Sequence, residues 1–130
     1  MLERTSFREG LSYRGGSSMW AWVLHRVTGL GVLLFLGIHI LETFALSFGP
    51  DFYDRTMELY NTAIFRVAEV GLLFAVIYHA VNGTRITIQD LWPALWRYER
   101  AFVWVGFGIV IVVFVPLALL GLLPVFRGEL

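Results

Sequence analysis

Residues 78–90 read YHAVNGTRITIQD, and how this stretch is read decides the fold. It closes an apolar run that begins near Ala63 and reaches about Ile88. Such a run exceeds the roughly 20 residues that a helix needs to cross a hydrocarbon core ~30 Å thick. His79, Asn82 and Arg85 therefore belong to the inner part or the mouth of a membrane helix. A polar side chain is costly there unless it is paired or used.

Two further segments resemble the first in length. One covers about residues 21–47, and the other covers residues 101–126 without a charged side chain. Three spans follow, and the fold class is all-α: an integral membrane domain over residues 1–130, part of a helical bundle that a partner completes. The composition agrees. The chain is 58% hydrophobic, against ~45–50% for an ordinary soluble domain. Its formal net charge is zero, and all ten basic residues are arginine, so no polybasic tract offers itself to nucleic acid. Without cysteine, the chain forms no disulfide and no thiolate metal or iron–sulfur site. Any metal falls to histidine, carboxylate or a partner.

A polar arm, residues 1–20, precedes the first span and carries Glu3, Glu9 and three arginines. No small-residue cleavage pattern follows, so the first span is expected to be retained. Arg4, Arg8, Arg14, Arg26, Arg85, Arg97 and Arg100 flank one side of the membrane, and Arg55, Arg66 and Arg127 flank the other. The positive-inside rule then sets the N-terminus on the cytoplasmic side and the C-terminus outside. The outer connection, SFGPDFYDRTMELYNT, reads as a turn and a short amphipathic helix at the interface. The inner one, QDLWPALWRYER, has the aromatic and charged mixture of an interfacial belt. Pro116 is placed to kink the third span.

The polar residues within the spans carry the functional information. His25 and Arg26 sit at the inner mouth of the first span in WVLHRVTG, with His39 further along. His79 lies six residues from Arg85, ~9 Å at 1.5 Å per residue. Gly83 follows His79 at i+4 and Gly29 follows His25 likewise, leaving one helix face open to a flat group or to close helix packing. The plainest account gives each histidine a hydrogen bond to a neighbour. With arginines at the mouth, the alternative is haem, one ring nitrogen ligating iron while cations neutralise propionates.

HRVTG early in a first span, then YHAVNGTRITIQD ending a second, in a three-span chain of this length, resembles the cytochrome b membrane anchors of succinate dehydrogenase. The likeness runs from Met19 into the third span. It implies that His79 is an axial ligand of haem b, with Gly83 and Arg85 completing the H-x-x-x-G-x-R pattern. It also implies that His25 and Arg26, with Thr28 and Gly29 following, line a quinone site. Arg26 would bond a quinone carbonyl, and His25 would bond a propionate or relay protons. Asp90 would pair with Arg85 or with an iron–sulfur subunit. The implied partners are a second multi-span anchor protein, an iron–sulfur subunit and a flavoprotein carrying FAD, all at a bacterial inner membrane; alone, the chain would catalyse nothing.

The sequence departs from that pattern in two places. Trp22 stands where many members have a quinone-bonding serine, which moves the hydroxyl role to Ser17, Ser18 or a partner and leaves Trp20 or Trp22 to wall the pocket. Ile86 stands where an arginine-following histidine is common. His39 lies fourteen residues beyond His25, ~21 Å along a straight helix. It either ligates a second, outer haem, as in dihaem relatives, or bonds within the bundle near Glu42. By height no two of the three histidines close around one iron, so the sixth ligand is expected from another chain. The rival readings are a fumarate reductase anchor on the same scaffold and a haem-free structural protein of the membrane.

Overall fold

The computed structural model describes residues 16–58, 60 and 62–128. Glu3, Glu9, Arg4, Arg8 and Arg14 lie outside the described residues, so the arginine asymmetry behind the expected orientation rests in part on positions beyond them. The described residues fold into three long helices and one short one: α1 (Ser17–Ala45), α2 (Pro50–Glu58), α3 (Ala63–Leu91) and α4 (Glu99–Arg127). All three long helices are long and apolar enough to cross a membrane.

The helices overrun the apolar segments at the end where the histidines lie. α1 begins at Ser17 rather than near 21, and α3 continues to Leu91 rather than 88. Backbone hydrogen bonding does not depend on side-chain polarity, so a helix runs into the interface until the chain chemistry stops it. At α3 the stop is Pro93, which drives Trp92 out of helical geometry, to φ −127° and ψ 82°. A 3-10 helix, Pro93–Tyr98, then turns the chain into α4. At the other end α1 closes in a 3-10 turn, Leu46–Phe48. Gly49, at φ 103°, reverses the chain into α2, a conformation that glycine adopts without a Cβ clash. The described part of the first connection thus holds a turn and a short helix, and the second a 3-10 helix. α4 runs unbroken through Pro116 and also Pro124, so the expected proline site lies inside a continuous helix.

α3 is the central element, packing against α1 on one side and α4 on the other, while α1 and α4 touch each other far less. The core is small and more polar than the outside. Ala21 and Thr28 of α1, Tyr78, Asn82, Arg85 and Gln89 of α3, and Val103 and Val110 of α4 are buried, whereas Leu30, Leu34, Leu41, Val112 and Leu120 are well exposed. An apolar exterior of this kind suits lipid and neighbouring membrane helices. At the far end Tyr60 donates a hydrogen bond to Glu42, tying the outer connection to α1. That bond, with burial and the carboxylate charge adding to it, holds the Tyr60 hydroxyl above the ordinary tyrosine value. Arg66 and Glu69 pair at 3.1 Å on the surface, as expected of a span end, and such an exposed pair adds little.

α1 and α3 approach through two glycines. A Cβ on Gly29 would stand 2.9 Å from Cε1 of His79, and one on Gly83 would stand 3.4 Å from Cε1 of His25. Each histidine thus lies over the glycine that follows the other histidine by one turn. The flat group over Gly83 is the His25 imidazole from within the chain. The two contacts differ in tightness, and this separates two substitutions. Gly29→Ala should destabilise the folded protein by about 1–3 kcal/mol through overpacking, only partly offset by the ~1 kcal/mol helix preference of alanine. Gly83→Ala, at ordinary contact distance, should stay within about 0.5 kcal/mol of the parent. Unfolding midpoints of the two variants in detergent check this ordering, and equal losses would contradict it.

Candidate functional site

The two histidines of the resembling motifs meet. The His25 and His79 rings stack with centroids 3.9 Å apart and planes 7° from parallel. Height along the helices had set them apart, and the structure corrects that expectation. α1 starts at Ser17, so two turns of helix, ~12 Å, extend beyond His25 toward the N-terminus. Rings in contact and parallel, as these are, leave no room for an iron between them.

His79 is held by the backbone of α1. Its Nδ1 lies 3.0 Å from the carbonyl oxygen of His25. A carbonyl only accepts, so Nδ1 carries a proton, and it is Nε2 that bears the lone pair in the neutral form of the ring. This is the usual arrangement behind a metal-ligating imidazole, in which the second nitrogen is fixed by an acceptor. Gly29 makes it possible, since any side chain there would displace the ring. The Thr28 hydroxyl also stands 3.5 Å from Nδ1. Among the described residues no three His, Asp or Glu side chains gather into a metal-binding group; a macrocycle-borne iron asks this chain for one ligand and an acid-binding cation.

Arg85 fits the second requirement. It is 8% exposed, its Nε and one terminal nitrogen have no partner, and it lines a cleft of about 350 Å³ between α3 and α4 with Thr84, Ile88 and Phe102. Asp90 is exposed and makes no ion pair with Arg85, which corrects that half of its expected role. Five residues along a helix turn the chain by ~500°, which leaves the two side chains on different faces.

Arg26 is exposed, with its guanidinium 4.0 Å from the centroid of the Trp22 ring. Trp22 therefore acts on the arginine, through a cation–π contact at i+4. Ser17 and Ser18 are half-buried at the start of α1. By 100° per residue, Ser18, Trp22, His25 and Gly29 share one face of α1. His39 joins none of these groups. It is exposed, stacks on Phe35 at 5.5 Å and approaches Glu42 to 3.8 Å, too far for a hydrogen bond.

Sequence reasoning missed the polar stripe of α3. Tyr78, Asn82, Arg85 and Gln89 recur at intervals of four, three and four residues, which is a single helix face. That spacing was the available signal. The Tyr78 hydroxyl donates to the Ala21 carbonyl at 2.9 Å, but Asn82 Nδ2 and both amide atoms of Gln89 have no partner. Each buried unsatisfied group of this kind costs about 1–3 kcal/mol unless water or a partner meets it.

The chain is similar to known proteins over most of its length. The succinate dehydrogenase 2 membrane subunit SdhC of Mycobacterium tuberculosis is 36% identical over 104 residues, 80% of this chain and 76% of that protein. A succinate dehydrogenase hydrophobic membrane anchor subunit of Halobacterium salinarum is 35% identical over 108 residues, 81% of this chain and 83% of that protein. Residues 2–122 match the family described as succinate dehydrogenase/fumarate reductase transmembrane subunit. With three apolar helices and both histidine motifs inside that match, the chain belongs to the succinate dehydrogenase/fumarate reductase transmembrane-subunit family.

Proposed function

We propose that this chain is the cytochrome b anchor of a succinate dehydrogenase, holding haem b through His79 and contributing one wall of a quinone-reduction site at His25 and Arg26. The observation that carries the reading is the hydrogen bond from His79 Nδ1 to the His25 carbonyl, which leaves Nε2 as a free ligand beside a glycine-opened backbone. The buried, unpaired guanidinium of Arg85 supports it, as a cation available to a propionate. Membership in the family implies further subunits and the bilayer; the reading assigns them as a flavoprotein, an iron–sulfur protein and a second anchor with a facing histidine. The bundle then lies in a bacterial inner membrane with its histidine half toward the cytoplasm.

Haem supplies one-electron redox chemistry, and the protein sets its ligand, its charge balance and its access to water. His79 presents Nε2 in a fixed tautomer. Arg26, kept over Trp22, extends a charge-assisted donor to a quinone carbonyl at the polar edge of the span. Ser18, on the same face of α1, is the hydroxyl nearest that role. Succinate oxidation stays on the partner subunits, and this chain orients their electron acceptor. The reciprocal packing of His25 and His79 on glycine also gives both rings a structural role without a cofactor, and that observation favours a second reading, a haem-free anchor.

The spectrum of the purified complex separates the two. His79→Ala should lose the narrow α band of low-spin haem in reduced-minus-oxidised spectra, while His39→Ala should keep it; full haem in the first variant would remove the ligand assignment. Arg26→Leu should lower succinate–quinone turnover at least tenfold with succinate oxidation by an artificial acceptor near normal. Equal loss of both activities would point to failed assembly. Expressed without its partner, the chain should bind haem weakly and not as a stable low-spin form, because His25 and His39 offer no second axial ligand.

A further inference from the structure

Thr28 is buried within the α1–α3 contact at 5% exposure, and its hydroxyl sits where Nδ1 of the His79 ring approaches α1. The oxygen is 2.7 Å from the Leu24 carbonyl and 3.1 Å from the His25 carbonyl. A hydroxyl has one proton, and the shorter, one-turn-back contact to Leu24 takes it. The oxygen then faces His79 Nδ1, 3.5 Å away, with lone pairs only. Nδ1–H consequently lies between two acceptors, the His25 carbonyl at 3.0 Å and the Thr28 oxygen.

We infer that Thr28 is a positioning residue for the haem ligand: with the His25 carbonyl it locks the His79 tautomer and adds to the electron donation of Nε2. This rests on the assignment of His79 as the axial ligand. The physical route is short. An acceptor on the far nitrogen draws the N–H proton outward, gives the ring more anionic character, and makes the opposite nitrogen a stronger donor. A stronger donor favours ferric over ferrous iron and lowers the reduction potential. The donation of the threonine proton to Leu24 matters because it fixes the direction of the effect. A hydroxyl donating to the His25 carbonyl would compete with Nδ1–H for that oxygen and act in the opposite sense. Gly29, the next residue, keeps the ring close enough for both contacts. The T-G pair of HRVTG therefore works as a unit, one residue supplying an acceptor and the next supplying space.

Thr28→Val keeps the shape and removes the oxygen, and Thr28→Ser keeps the oxygen. In the assembled complex, potentiometric titration followed at the α band should show the haem midpoint shifted upward in Thr28→Val and returned toward the parent in Thr28→Ser. Electron paramagnetic resonance of the ferric haem should show the matching change in ligand field, with low-spin coordination retained. An unchanged midpoint in a Thr28→Val complex that still loads haem would overturn the role of Thr28, and a downward shift would overturn the assignment of the oxygen as acceptor. Persistence of the parent spectrum in His79→Ala would instead take away the ligand assignment itself, and the inference with it. Where Thr28→Val fails to assemble, the midpoint of Thr28→Ala decides on the same terms.

Discussion

The close approach of α1 and α3 governs the rest of the molecule. Two helices bearing a histidine and a glycine one turn apart run past each other so that each ring fills the gap left by the other helix's glycine. Without Cβ atoms at 29 and 83 the backbones come near enough for a side chain of α3 to bond a main-chain carbonyl of α1. In lipid, where apolar surface gives little net drive between helices, such small-residue contacts and interhelical hydrogen bonds are what hold a bundle. The Tyr78 hydroxyl on the Ala21 carbonyl adds a second tie on the same pair. The contact therefore fixes the packing and the chemistry together, because it both sets the separation of the helices and defines which nitrogen of His79 stays free.

Around that contact the usual arrangement of a soluble protein is inverted. Most leucine, isoleucine and valine side chains point outward, and asparagine, arginine and glutamine are buried among the helices. Several of these groups have no partner within the chain. A carboxamide or guanidinium at such a depth is met by ordered water or by groups from neighbouring subunits, and a family of multi-subunit complexes provides such neighbours. Small exposed contacts such as Arg66–Glu69 contribute far less.

Much of this was legible in the residues. Length and hydrophobicity of three segments gave the spans, Gly-Pro and the tryptophan-rich loop gave the connections, and the HRVTG and YHAVNGTRITIQD motifs led to the family. The helix ends at the histidine side were not legible, because polarity changes before the hydrogen-bonded backbone does. For the same reason two turns of α1 precede His25 at the mouth of its apolar segment. The pairing of Asp90 with Arg85 failed on helical phase. Trp22 was noted for the serine it replaces, whereas its contact with Arg26 follows from the i+4 spacing. Gln89 went unread because one buried carboxamide at a span end leaves no trace in composition, and only its phase with Tyr78, Asn82 and Arg85 marks it.

That stripe has a consequence for how the protein enters the bilayer. Between positions 78 and 90, α3 carries histidine, asparagine, arginine, glutamine and aspartate, and polar and ionisable side chains make a helix costlier to insert the further they lie from its ends. α4 has no charged side chain from residue 101 to 126 and is joined to α3 by the short Pro93–Tyr98 turn. α3 is thus the least apolar of the three spans and α4 the most apolar. Insertion as a hairpin lets the stripe turn toward a helix instead of acyl chains, and α1 closes over it through the glycines. The side chains that suit the finished site make the middle helix dependent on its neighbours from the moment of synthesis.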